Sequence, residues 1–95
     1  MYMVVSRWEA IPGHEQQVEE VGAKMRGLLR AQPGVVFMEG IEVDGHFTVV
    51  HAYADEATYD RITNDPNGAF AKAAAENKLE EHMRWLGSER GVTRE

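Results

Sequence analysis

The chain has 95 residues, 43% of them hydrophobic and 27% charged, with ten Lys+Arg against sixteen Asp+Glu for a formal charge of −6. That composition predicts one globular domain over residues 1–95, small enough to bury only about two-thirds of its unfolded surface and so helped by a partner. The acidic balance excludes the basic field that draws proteins to phosphate backbones, no run approaches the roughly 18 apolar residues needed to span a bilayer, and the absence of Cys removes disulfides, thiolate nucleophiles and Cys-based metal sites.

The chain opens MYMVVSRW, without a basic segment, apolar stretch and small-residue cleavage site in succession. The expectation is therefore a cytoplasmic protein with neither nucleic-acid nor membrane partners. Tyr2 to Ala10 is rich in β-branched and aromatic residues and ends at Ile11-Pro12-Gly13, which predicts a strand. From His14 to Ala31 the apolar residues Val18, Val21, Met25, Leu28 and Leu29 recur at helical spacing, opposite Gln17, Glu19, Glu20, Lys24 and Arg30. Pro33-Gly34 stops that helix. Val35–Val43 and His46–Tyr53 read as two antiparallel strands joined by Asp44-Gly45, a dipeptide suited to a two-residue hairpin turn.

Asp55 can cap a short helix through Tyr59 and Ile62, which Asn64-Asp65-Pro66-Asn67-Gly68 breaks; Gly68 to about Asn77 is Ala-rich and helical by propensity. Two readings fit the segment after Asn77. Leu79, Met83 and Leu86 suit a continuing helix, whereas Met83 and Trp85 alternate as in a strand. The helical reading is preferred, with helix to about Leu86 and a short strand from Ser88 to Arg94.

The order strand, helix, strand, strand, helix, strand is the ferredoxin-like split βαββα(β) arrangement, an α+β fold whose antiparallel sheet carries helices on one face. Strand alternation puts Phe47, Val49, His51 and Tyr53 on one face of the third strand, and Tyr2, Val4, Ser6 and Trp8 on one face of the first. Both sheet faces carry apolar groups and one helical layer covers only one of them, which predicts a homodimer in which two sheets meet.

Ile11-Pro12-Gly13-His14-Glu15, Pro33-Gly34, Tyr53-Ala54-Asp55-Glu56-Ala57-Thr58-Tyr59 and Asn64-Asp65-Pro66 leading to Ala69-Phe70, spread over residues 2–76, resemble the antibiotic biosynthesis monooxygenase group of dimeric α+β barrels. The resemblance implies a cofactor-independent enzyme, without metal or flavin, that oxidises a phenolic, quinol or polycyclic aromatic small molecule with O2. It also implies that Ser6 and Tyr53 face a cavity between sheet and helices, bringing Trp8 and His51 toward it. The sequence departs from the group at Tyr53, where Trp is common. Haem-degrading relatives use Asn, Trp and an axial His at positions aligned with Ser6, Tyr53 and about Ala74, so haem chemistry is not implied.

His51 is the candidate base, because an imidazole titrates near neutrality; the alternative is a buried neutral ring bonded to the protein. Tyr53 would orient a substrate oxygen or serve as packing. Ser6, Trp8, Phe70 and Trp85 are the candidate substrate-binding residues, with Trp85 also readable as a core or dimer anchor. His82 and Trp85 would be neighbours on a helix, while His14 and His46 read as exposed and inert. A metal site would need His51 brought together with His82 or with carboxylates by folding, since no local His pair exists. The rival function is a non-catalytic module that captures a small hydrophobic ligand or acts in stress response.

Overall fold

The computed structural model describes residues 1–94. Four strands, β1 (Tyr2–Ala10), β2 (Val35–Val43), β3 (His46–Tyr53) and β4 (Met83–Val92), form one antiparallel sheet in the order β2-β3-β1-β4. Helices α1 (Glu15–Arg30), α2 (Glu56–Tyr59), α3 (Ala69–Glu76) and α4 (Leu79–His82) lie on one side of it, and α2 runs on into a wider π turn over Asp60–Asn64. This is the expected α+β, ferredoxin-like arrangement.

Local chemistry accounts for the junctions. Asp44 and Gly45 both take positive φ, 50° and 79°, the pair of left-handed residues that a type I′ hairpin needs between β2 and β3. Asp55 caps α2 by accepting from the Thr58 amide at 2.8 Å and the Thr58 hydroxyl at 2.7 Å. Hydrogen bonding to Thr58 holds the Asp55 carboxyl below its ordinary pKa.

The chain after Asn77 differs from expectation. Lys78 adopts the left-handed conformation (φ 52°) and ends α3, α4 lasts one turn, and from Met83 the backbone is extended. The alternating reading of Met83 and Trp85 prevails because nine residues here pair with β1, satisfying backbone groups that a longer helix would have left at the open edge. His82 and Trp85 are thus not helical neighbours.

Two bulges reset strand alternation. In β2, Val35 lies opposite Tyr53 and Met38 opposite His51, so Val36 is extra and both Val35 and Met38 point to the helices, while strict alternation would have put Val35 on one face with Phe37, Ile41 and Val43. In β4, Gly87 pairs with Arg7 and Trp85 with Trp8, which makes Leu86 extra and turns Trp85 to the same side as Ser88. Core residues fill the space between layers in two groups, one around Tyr2, Val4, Tyr53, Tyr59 and Ile62, the other around Val18, Met25, Ala73 and Leu79. Burial of a side chain such as Ile62, 1% exposed, stabilises by about 1.5–3 kcal/mol. On α1, Val18, Met25 and Leu29 are buried, but Leu28 is 45% exposed, at the edge of the predicted stripe.

Candidate functional site

Between the two core groups lies a cavity of about 630 Å³ with a mostly apolar wall. Its floor is the helix-facing side of the sheet, where register brings residues of different strands into rows. Tyr53 lies opposite Tyr2, His51 opposite Val4, Val49 opposite Ser6, and Phe47 opposite Trp8. The shared face expected from alternation is the one observed.

All six residues singled out from the sequence, Ser6, Trp8, His51, Tyr53, Phe70 and Trp85, line this cavity. The Trp8 indole N–H donates to Ser6 Oγ at 3.0 Å, and the Trp8 ring packs at 6.5 Å, tilted, against Phe70 of α3. Trp85 sits at the rim, 61% exposed, its indole N–H donating to Ser88 Oγ at 2.9 Å, so within the chain it is not a core anchor.

His51 and Tyr53 form the polar centre. Tyr53 is fully buried and its ring meets Tyr59 edge-on at 5.4 Å, so the hydroxyl has one fixed position. That hydroxyl is 2.6 Å from His51 Nδ1 and 3.1 Å from Thr63 Oγ1. Thr63 stands on the π turn, a widened helical turn of a kind frequent at functional sites. The turn is locked from outside by Gly68, where a Cβ would come within 2.5 Å of the Arg61 carbonyl oxygen and 3.1 Å of those of Ile62 and Asp65.

Burial lowers the His51 pKa to about 4, so the ring is neutral at pH 7. Burial likewise raises the Tyr53 phenol above its ordinary value, partly offset by the Thr63 hydrogen bond. His51 Nε2 has no partner among the described residues, nor is it a sealed, unsatisfied atom, and the ring lines the cavity; this nitrogen is open to a bound molecule.

Several lining residues were not legible as site residues. Tyr59 is buried, its phenol pKa raised mainly by burial, with the Arg90 guanidinium 5.5 Å above its ring. Thr63, Arg26 and Arg90 reach the cavity only through tertiary packing. His82 meets His14, not His51: their Nδ1 atoms are 2.9 Å apart, so neither ring is isolated. His46 is exposed. Among the described residues no three His, Asp or Glu side chains converge as metal ligands. At the position aligned with the axial histidine of haem-degrading relatives, Ala74 lines the wall without a ligating atom. No helix of the described residues is long and apolar enough to cross a membrane.

Comparison with solved structures finds SnoaB, a cofactor-independent oxygenase from Streptomyces nogalater, with a TM-score of 0.79 and 18% identity, covering 99% of this chain and 93% of that one. Rv0793 from Mycobacterium tuberculosis matches with a TM-score of 0.79 and 14% identity over 99% and 95% of the two chains. NE2512 from Nitrosomonas europaea matches at 0.70 and 25% over 95% and 85%. No curated protein matches in sequence. The family model for antibiotic biosynthesis monooxygenase matches residues 1–76, four-fifths of the chain and every strand but the last, and the protein belongs to that family.

Proposed function

We propose that the protein is a homodimeric oxygenase that needs no cofactor and oxidises a phenolic, quinol or polycyclic aromatic molecule in the cavity beneath α1 and α3. The observation that carries this reading is the chain His51 Nδ1, Tyr53 hydroxyl, Thr63 hydroxyl, which leaves His51 Nε2 facing an apolar space. Family membership and the description of SnoaB as a cofactor-independent oxygenase support it.

The low pKa of His51 decides how the proton moves. A phenol near pKa 10 that protonates an imidazole of pKa about 4 faces a mismatch of roughly 8 kcal/mol. Release of the same proton to water at pH 7 costs only about 4 kcal/mol. The hydroxyl chain supplies that cheaper exit. Nε2 accepts the substrate proton, Nδ1–H passes its own to the Tyr53 oxygen, and Tyr53 passes its own to Thr63, which is only partly buried. The imidazole ends neutral, with Nε2–H donating to the substrate oxyanion. The electron-rich carbon of that anion then combines with O2; loss of water from the resulting peroxide leaves a new carbonyl, one oxygen atom in product and one in water, with the substrate supplying the electrons.

O2 uptake with a panel of hydroquinones and anthrones tests the reading. Substrate-dependent uptake that falls at least tenfold in His51→Ala is expected; absence of uptake across the panel, or an unaffected variant, overturns it. The weak basicity of His51 favours a second reading, a binding module without catalysis, which ligand binding without any O2 uptake would select.

The dimer is supported by the sheet face away from the helices. Val36, Ile41 and Val43 are 55%, 55% and 46% exposed along β2, beside Val50 and Val5, with no helix over them.

A further inference from the structure

Among the described residues, Arg26 is the cavity-wall cation with neither an ion pair nor an aromatic ring against it. Arg26 extends from α1 over the sheet, and among the described residues its guanidinium makes no hydrogen bond or ion pair. Its neighbour Arg30 is differently placed, donating to the Met38 carbonyl at 2.8 Å and pairing with Glu39 at 3.4 Å. Glu39 is thereby engaged, and it acts on Arg26 only at a distance.

Two glycines make the slot that Arg26 occupies. A Cβ on Gly22 would lie 2.9 Å from Arg26 Nη1, and one on Gly40 would lie 3.0 Å from Nη1 and 3.2 Å from Cζ. Neither glycine has positive φ, so backbone conformation does not demand them; what a side chain would take is the guanidinium's space. Burial, and after it the charge of Arg30, lower the Arg26 pKa, partly offset by Glu39.

Position supplies the chemistry. Gly40 is register partner to Val49, and Val49 is two residues from His51 on the same face. Diagonal neighbours on one sheet face lie about 7–8 Å apart, so the Gly40 position under the guanidinium stands about one aromatic ring from His51. Resting on the reading of this cavity as a site for phenolic aromatics, we propose that its ligand is an aromatic acid, a ring system with a phenolic hydroxyl at His51 and a carboxylate on Arg26. A planar guanidinium offers a paired donor fork to a carboxylate, and the other cations of the wall are already engaged, Arg84 with Glu9 at 3.4 Å and Arg90 over the Tyr59 ring. The same positive charge favours ionisation of the phenol beside His51.

The test is equilibrium binding under argon of 6-hydroxy-2-naphthoate and its methyl ester, probes that share ring and hydroxyl and differ in the charge. Acid bound at least tenfold tighter than ester by the native protein is expected, with that ratio falling to near one in Arg26→Gln while ester affinity stays within about threefold. Gly40→Ala, which displaces only the far end of a flexible side chain, reduces the ratio without loss of fold by circular dichroism. An acid-to-ester ratio that is near one in the native protein, or that Arg26→Gln leaves unchanged, overturns the proposal whatever the O2 assay gives. Failure of both probes to bind overturns it together with the aromatic-site reading, and binding with the expected ratio but no O2 uptake sustains it while catalysis fails.

Discussion

Protonation of His51 in the folded protein is opposed by burial, and that opposition is measurable as stability. The unfolded pKa is near 6.5 and the folded one about 4, so below pH 6.5 the unfolded chain binds the extra proton and stability falls as pH falls. The contribution is complete above about pH 7.5, is lost progressively through the window between the two values, and levels off below pH 4. For this shift the linkage relation gives a loss of about 2 kcal/mol between pH 6.5 and 4.5. Carboxylates titrate in the same range, so the comparison is with His51→Asn, whose amide leaves a polar atom beside the Tyr53 hydroxyl. Urea unfolding of both proteins at half-unit steps from pH 7.5 to 4.5 is expected to show the native curve falling more steeply, by about 2.5 kcal/mol in total. Parallel curves would refute both the burial argument and the neutral imidazole on which the proton path depends.

Tyr53→Phe removes the hydroxyl that links His51 to Thr63 and is expected to cost about 1–3 kcal/mol in unfolding free energy, with O2 uptake reduced as strongly as in His51→Ala; retained uptake would show that the proton leaves by another route. Gly68→Ala is expected to destabilise by about 1–3 kcal/mol, because its Cβ meets backbone carbonyls of the π turn, whereas Gly27→Ala, with open space around it on α1, is expected to stabilise by about 0.5–1 kcal/mol. Thermal melts of the pair check this, and equal effects would sink the steric account of Gly68. Ile41→Lys on the outer sheet face is expected to turn a dimer into a monomer in light scattering, and an unchanged mass would place the interface elsewhere.

The first three strands were legible to the residue because their boundaries are written locally, in Pro12-Gly13, Pro33-Gly34 and Asp44-Gly45, and because β-branched runs lie between them. The last strand was not. Its start comes after a helix end made by Lys78 in a left-handed conformation, without the Gly or Pro that marks such ends, and Leu79, Met83 and Leu86 happen to keep a helical period across it. The same division holds for the cavity. His51, Tyr53, Ser6 and Trp8 share a face by alternation within strands, which sequence reports. Arg26, Thr63 and Tyr59 arrive from helices whose rotation over the sheet is set by packing, and His14 meets His82 across 68 positions.

The space stays open because of residue size at one level of the fold. The register row through Gly40, Val49, Ser6 and Ser88 is small from edge to edge, whereas the row on one side carries Phe47, Trp8 and Trp85 and the row on the other carries Met38 and His51. Above it, Gly22 on α1 and Ala74 on α3 are small as well. Large residues to either side hold the helices off the sheet, and small ones between them leave that separation unfilled. The Ala73-Ala74-Ala75 run, readable in sequence as a tightly packed helix, divides accordingly: Ala73 is buried in the core, Ala74 lines the cavity and Ala75 faces solvent. A cavity made this way has apolar walls by default, so its few polar atoms are the ones that choose a ligand. Two of these are His51 Nε2 and the Arg26 guanidinium, one neutral and one charged.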